Sequence, residues 1–264
     1  MIVSSANDSE TSAPDDWEKH WTDYSDTATL NPAQGFRRRL IAGALGSLGA
    51  EARLVDIGSG QGDMLSHAAG QWPEAGLLGL ELSAAGITLA QSKVPHARFV
   101  QVDLVQQQRP SEIDVRWATH AICSEVLEHV DDPVSLLRHA GAYLRPGGRL
   151  VVTVPGGPRS AFDRHIGHRR HYSRSRLSSE LTSAGFNVDR VDAAGFPVFN
   201  LYKLAVIARG RALIEDAQRS DGAPTRGLAG MVTRIFSASF RVAPTRGRFG
   251  WQLIAIATKR DDSQ

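Results

Sequence analysis

Glu81, Asp103, Ser124 and Glu125 each close a short apolar run, and Gly58, Gly60 and Gly62 follow an earlier run in the stretch LVDIGSGQGD (54–63). Alternating glycines let a backbone turn sharply and let a ligand approach where a Cβ would collide. A helix starting near Asp63 would offer free N–H groups to an anionic ligand group. The dinucleotide fingerprint G-x-G-x-x-G needs glycine at position 63, where this chain carries Asp63, so a pyrophosphate is disfavoured. That acid could instead hold the ammonium of an amino-acid-like ligand. Glu81 lies nineteen residues beyond Gly62, near the ~20-residue offset at which a carboxylate after a second strand meets ribose hydroxyls.

A second concentration of chemistry is FDRHIGHRRHY (162–172), where His165, His168 and His171 stand among Arg164, Arg169 and Arg170. A histidine near neutrality can take the proton of an acceptor hydroxyl or amine. Arginines can clamp a carboxylate or phosphate. The three-residue histidine spacing would align them on a helix and raise the question of a metal. Gly167 argues against a stable helix, and no Cys or acid cluster completes a ligand set, so no metal is expected. The purely structural alternative has the cluster tie this loop to the rest, with Arg170 paired to Asp163. His129, in SEVLEHV (124–130), is a second candidate base.

The elements that must position these groups are legible as punctuation. Apolar runs at Leu54–Ile57, Gly76–Leu80, Ala97–Val102, Ala118–Cys123 and Arg149–Val154 read as strands. Between them lie helical signals. Asp132-Pro133 is an N-cap acid with proline at the first helical position, and Arg145-Pro-Gly-Gly148 stops that helix. Ser173 can cap a further helix carrying Leu177 and Leu181 that ends at Gly185. Apolar strands alternating with helices imply a parallel sheet covered on both faces, with ligands at the carboxyl ends of the strands. Phe186–Ala193 and Trp251–Thr258 read as two last strands. Between them, stripes at Leu201, Leu204, Ala205 and Ala208, and at Met231, Val232, Ile235, Phe236 and Phe240, predict an inserted helical pair at about 195–250, separated by the polar stretch 215–226.

In order and spacing, LVDIGSGQGD, Glu81, Asp103, SEVLEHV and LRPGGRLVVTVP (144–155) resemble the class I methyltransferases that use S-adenosylmethionine (SAM), most closely their broad small-molecule group. The resemblance spans roughly Leu54 to Gly185. It implies an α/β fold with a seven-stranded Rossmann-like sheet, mostly parallel with an antiparallel last strand, and helices on both faces. It implies that Asp56, Gly58, Ser59 and Gly60 cradle the methionine part of SAM, and that Glu81 with Leu82 binds the ribose. Asp103 and Leu104 would frame the adenine, with Ser124 and Glu125 near the sulfonium. The pattern D-x-x-x-G-H-x-R-x-Y (Asp163, Gly167, His168, Arg170, Tyr172) also resembles a lid-like stretch in a subset of these enzymes. The expected acceptor residues are then His168, His129 and His165 for proton transfer, and Arg169, Arg170 and Tyr172 for binding. S-adenosylhomocysteine would be the product.

Length and charge bound the rest. The 264 residues suit one domain with an elaboration. The expected division is a loose tail at 1–15, helices at 16–50 over the cofactor side, and a methyltransferase domain at 51–264. Trp17, Trp21 and Tyr24 lie at helical spacing in the leading segment. Arg37 could reach the cofactor carboxylate or face solvent. The single cysteine, Cys123, excludes a disulfide framework and suits a reducing, cytoplasmic setting. Residues 1–154 hold 12 Lys/Arg against 19 Asp/Glu, and residues 155–264 hold 18 against 9. The basic half follows the fifth strand, where such enzymes build the acceptor site. It suggests an anionic or lipid-linked acceptor, or contact with an anionic membrane surface, since no run is long enough to span a bilayer. A homodimer through the inserted helices is a further expectation. Ser124-Glu125-Val126-Leu127 lacks the D/N-P-P-Y/F pattern of base-N-methylating enzymes, and no aromatic single-strand platform is present, so nucleic acid is not the expected partner. The functional expectation is methyl transfer to an oxygen, hydroxyl or carboxylate, of a small molecule. Against it stand N- or C-methylation, a non-catalytic SAM-binding protein, and a nicotinamide dehydrogenase that Asp63 already disfavours.

Overall fold

The apolar runs become strands because both of their faces are covered. In the computed structural model, which describes Glu18 and residues 31–106, 110, 113–218 and 227–261, seven strands form one sheet. They are β1 (Arg53–Ile57), β2 (Gly76–Glu81), β3 (Arg98–Gln101), β4 (Ala118–Ser124), β5 (Leu144–Pro155), β6 (Phe186–Ala194) and β7 (Gln252–Lys259), in the order β3-β2-β1-β4-β5-β7-β6. β1 to β5 pair in parallel, and β7 runs antiparallel to both β5 and β6. The expected α/β fold with an antiparallel last strand is the one present. The order in which strands are added reverses between β1 and β4, so the carboxyl ends of these two parallel strands flank the crevice where ligands bind in such sheets.

The helices are α1 (Pro32–Leu45), α2 (Asp63–Gln71), α3 (Ala84–Lys93), α4 (Pro133–Gly141), α5 (Ala161–His165), α6 (Arg174–Ser183), α7 (Val198–Gln218) and α8 (Gly227–Val242). Their starts follow from sequence. Asn31, Ser83, Asp132, Ser160 and Ser173 each accept a first-turn N–H with the side chain, and proline opens α1 and α4. On one face of the sheet Val55, Ile57, Leu80 and Val152 pack with Leu137 of α4 and Leu177 and Leu181 of α6. On the other, Leu54, Ile122 and Val151 pack with Phe36 and Leu40 of α1, Leu65 of α2, Phe199 of α7 and Phe240 of α8.

Two readings are corrected here. β5 starts at Leu144, five residues before the expected Arg149. Ala118 pairs with Leu144 and His120 with Arg149, so Arg145-Pro-Gly-Gly148 loops out of register inside the strand rather than preceding it. The buried stripe of α7 is also shifted. Leu201 and Leu204 are about half exposed, while Phe199 is buried and Tyr202 is packed against the same core. Phe199 and Tyr202 join Phe36, Phe236 and Phe240 in an aromatic cluster that docks the inserted pair on α1. Aromatic rings remove more apolar area from water than leucines do, and they take the inward face. Ile235 is exposed rather than buried. The side chains of Met231 and Val232, Trp17, Trp21, Tyr24, the tail at 1–15 and the segment 219–226 lie outside the described residues. No helix among the described residues is long and apolar enough to cross a membrane.

Candidate active site

The glycine turn after β1 is tight because its backbone is tied to β2. Gly58 N and Ser59 N both donate to Leu80 O, at 2.8 and 3.1 Å. Gly58, Gly60 and Gly62 all take positive φ, where a side chain is strained. A Cβ on Gly58 would come within 2.6 Å of Val126 Cγ2, so the segment after β4 lies directly over the turn. Glu81, at the tip of β2, is buried. Its Oε2 accepts from Gly60 N at 2.7 Å and its Oε1 from Ser83 N at 2.9 Å. Glu81 is thus held against the glycine turn. Each of its oxygens retains acceptor capacity for a ligand hydroxyl. Leu82 beside it is exposed, and Ser59 Oγ is buried without a hydrogen-bond partner.

Asp103 follows β3, next to β2, and its Oδ1 accepts from Val105 N and Gln106 N, which fixes the turn. Leu104 is buried and its carbonyl accepts from His139 Nδ1. Asp63 departs from the expectation. Its carboxylate is taken by Lys93 at 2.7 Å and by Gln61 Nε2 at 3.0 Å, and is thereby neutralised at the start of α2 rather than offered to an ammonium. Asp56 is fully buried on β1, and its carboxyl is pushed up to about 8 by burial, with Glu81's charge adding. An acid with a raised native pKa stabilises the fold below its unfolded pKa, and that contribution fades as pH rises through the native value. Asp56→Asn is therefore expected to flatten the loss of melting temperature between about pH 4 and pH 8. An unchanged slope in circular-dichroism melts would remove Asp56 as its source.

At the tip of β4, Ser124 Oγ shares a 2.8 Å hydrogen bond with Thr153 Oγ1. Glu125 adopts φ 56°, a costly conformation for a non-glycine residue. It is held there by Arg37 from α1, at 2.7 Å, and by Gln252 Nε2, at 2.9 Å, while Arg37 Nε also donates to Gln252 Oε1. Arg37 enters the cleft end of the sheet instead of lying on a solvated face.

Three residues beyond Glu125 the chain builds a buried polar cluster. Glu128 is fully buried and neither of its oxygens has a hydrogen-bond partner. His168 Nε2 faces Glu128 Oε1 at 3.9 Å, and the rings of His129 and His168 meet edge-on with centroids 4.7 Å apart. The tautomers follow from one carbonyl. Gly157 O can only accept, so His171 Nδ1, 3.0 Å away, carries a hydrogen. Neutral His171 then presents a lone pair at Nε2, 3.2 Å from His168 Nδ1, which must donate. His168 is left with its own lone pair at Nε2, aimed at Glu128. Burial lowers the His168 imidazole to about 2, with His129 the next cause. Burial pushes the Glu128 carboxyl well up, and Glu125 adds to it.

Asp163 closes the cluster from the lid. Its Oδ2 accepts from Ser160 N and Ser160 Oγ in a capping box, and its Oδ1 from Lys203 Nζ at 2.5 Å. Burial pushes its carboxyl up, but Lys203 and Ser160 more than offset this and hold it below the usual carboxylate range. Lys203, not Arg170, is its partner.

The remaining candidates lie elsewhere. His165 is exposed at the end of α5. Arg169 pairs with the Asp131 carboxylate and Arg170 donates to Asp131 O, so both close on the loop after β4 rather than forming an open anion clamp. Tyr172 is a core residue, its hydroxyl donating to Leu127 O at 3.2 Å, and burial raises its pKa. Glu128, Lys203 and Gln252 were not singled out as site residues from sequence. The signals were an acid directly before His129 and a lone lysine in an apolar helix.

Residues 33–191 match the family described as Methyltransferase domain, and the chain belongs to it. Its strand order and antiparallel last strand are those of the class I methyltransferase fold. The chain is 34% identical over 119 residues to trans-aconitate 2-methyltransferase of Deinococcus radiodurans, covering 45% of this chain and 42% of that protein. It is 29% identical over 160 residues to the enzyme of that name from Methylobacterium nodulans, covering 54% and 60%. The match spans about half the length of these curated relatives. The fold is similar to phosphoethanolamine N-methyltransferase 2 of Haemonchus contortus in complex with SAM (TM-score 0.58, 15% identity, 94% of this chain and 61% of that one). It is also similar to geranyl diphosphate C-methyltransferase of Streptomyces coelicolor (TM-score 0.54, 19% identity, 85% and 75%).

The residues present fit SAM. The glycine turn leaves no room for a Cβ beneath Val126, Ser59 Oγ is an orphaned hydroxyl in that turn, and Glu81 is anchored beside Gly60 with acceptor capacity to spare.

Proposed function

We propose that the chain transfers the SAM methyl group to an oxygen, hydroxyl or carboxylate, of a small-molecule acceptor. The observation that carries this reading is one juxtaposition. Val126 covers the glycine turn, and two residues on, Glu128 and His129 meet the lone-pair-bearing Nε2 of His168. A directed lone pair close in the chain to the segment that covers the proposed donor cradle supports an acceptor site there. SAM supplies a methyl carbon already activated by a sulfonium; the acceptor oxygen's lone pair forms the new O–C bond as the S–C pair passes to sulfur. Glu81 and the glycine turn would hold the donor, which aligns it with the acceptor. For a hydroxyl acceptor, His168 Nε2, whose imidazole is held far below neutrality, takes the proton only as the forming O–C bond makes the oxygen strongly acidic. For a carboxylate no proton moves and alignment suffices. The basic bias of residues 155–264 supports an anionic acceptor.

The test is transfer from methyl-labelled SAM into small-molecule extract of the source cells, followed by mass analysis. The expected product is an ester or ether. Label on nitrogen or carbon would replace the oxygen assignment, and no label above the enzyme-free control would remove the catalytic reading.

A further inference from the structure

Two lone-pair-bearing groups, the Nε2 of His168 and the carboxyl of Glu128, face one another inside the buried polar cluster. Glu128 is fully buried and neither of its carboxyl oxygens has a hydrogen-bond partner beyond its own backbone N–H. The hydrogen-bond chain from Gly157 through His171 forces the His168 lone pair toward that carboxylate, at 3.9 Å. A proton on Glu128 would not bridge this gap, because 3.9 Å is beyond a hydrogen bond. The nearby cations are already committed, Lys203 to Asp163 and Arg37 to Glu125.

A cation between the two groups resolves the arrangement. We propose that Glu128, His129 and His168 form a binding site for one divalent transition-metal ion. One ligand atom from each of the three lies within 4.8 Å of the others. Three ligands about 2.1 Å from a shared ion stand about 3.4–3.6 Å apart, so a combined side-chain movement of about 1 Å in the widest pair closes the site. Two imidazoles and one carboxylate suit Zn2+, Co2+, Mn2+ or Fe2+. His168 also has the outer support a metal-ligating histidine needs, since His171 fixes its Nδ1–H and Gly157 O fixes His171 in turn. Asp163, His168 and His171 form a second, overlapping group. Asp163 is excluded from it by its bonds to Ser160 and Lys203, and His171 by its bond to His168. No acid cluster stands beside His168 in the sequence; the fold brings Glu128 to it from 40 residues away.

Three protein ligands leave positions open, as in catalytic metal sites. An acceptor oxygen bound there would lose its proton to water rather than to His168, so the ion would take over the charge-handling role in the proposed transfer. The site uses the same cluster as that transfer, but ion binding is measured without any acceptor, and the two readings fail separately.

The test is calorimetric titration of the full chain, stripped with chelator, with Zn2+ and with Co2+, alone and with SAM. One ion per chain is expected. Glu128→Gln and His168→Ala should abolish the site, and His171→Ala should weaken it about 10–100-fold. His96→Ala, on an exposed residue far along the sequence, should leave it intact. Absence of a one-to-one site in the wild type under both conditions overturns the proposal, and so does a site that survives Glu128→Gln and His168→Ala. Should either variant fail to fold by circular dichroism, the wild type decides. Bound Co2+ should give d–d absorption and protect His129 and His168 from diethylpyrocarbonate, read by peptide mass spectrometry. Co2+ that leaves both histidines reactive contradicts the proposal.

Discussion

His168→Ala is expected to lower methyl-transfer turnover by about 10²–10⁴-fold while leaving SAM affinity unchanged. The imidazole is the only group of the lid whose lone pair is directed by a hydrogen-bond chain toward the β4 tip among the described residues. It does not touch the glycine turn or Glu81, whose contacts are with Gly60 and Ser83. Removal should therefore separate the chemical step from donor binding. The comparison requires labelled methyl transfer with the acceptor found in extract, set beside a SAM titration of the same preparation. Turnover equal to wild type would take His168 out of the reaction. A parallel loss of SAM binding would mean that the lid shapes the donor site instead.

Lys203→Met carries the second large effect, on stability. Lys203 and Asp163 are both buried, and their 2.5 Å pair joins α7 to the lid. Removing the cation leaves a buried carboxylate whose remaining support is the Ser160 capping box. Breaking a buried pair from one side costs about 3–5 kcal/mol. The double variant Lys203→Met with Asp163→Asn should recover part of that loss, because an amide is far cheaper to bury than an unpaired charge. Urea unfolding of the three proteins measures both effects. A loss below about 1 kcal/mol for Lys203→Met would mean that the pair behaves like an exposed one.

The packing of Glu81 against the glycine turn was legible because its information is local. A strand, a glycine turn and a helix start occupy LVDIGSGQGD, and Glu81 closes the next strand at the spacing that brings it to Gly60. The strands were legible because a parallel sheet buried on both faces turns them into continuous apolar runs. The buried polar cluster was not, because its partners meet only in three dimensions. Glu128 comes from the β4 tip, Asp163 and His168 from the lid, and Lys203 from an inserted helix 40 residues beyond Asp163. In sequence Lys203 reads as a blemish in an apolar stripe, and Arg169 and Arg170 read as a free anion clamp although Asp131 already holds them. Tyr172 shows the same limit. Next to histidines it suggests a binding residue, yet its ring is core and its hydroxyl serves Leu127. The α7 stripe failed for a different reason. Helical periodicity gives a face but cannot choose between adjacent faces when aromatic residues compete with leucines for the interior.

The central claim is that Glu81 and the glycine turn make one grip for an adenosyl ligand at the carboxyl end of the sheet. It is tested most directly by calorimetric titration of SAM into the wild type and into Glu81→Ala, with folding of both verified by circular dichroism. The prediction is saturable one-to-one binding by the wild type and a loss of at least about tenfold in affinity in the variant, the size of one hydrogen bond to a charged group. A folded wild type that does not bind SAM, or a variant that binds it equally well, would contradict the account.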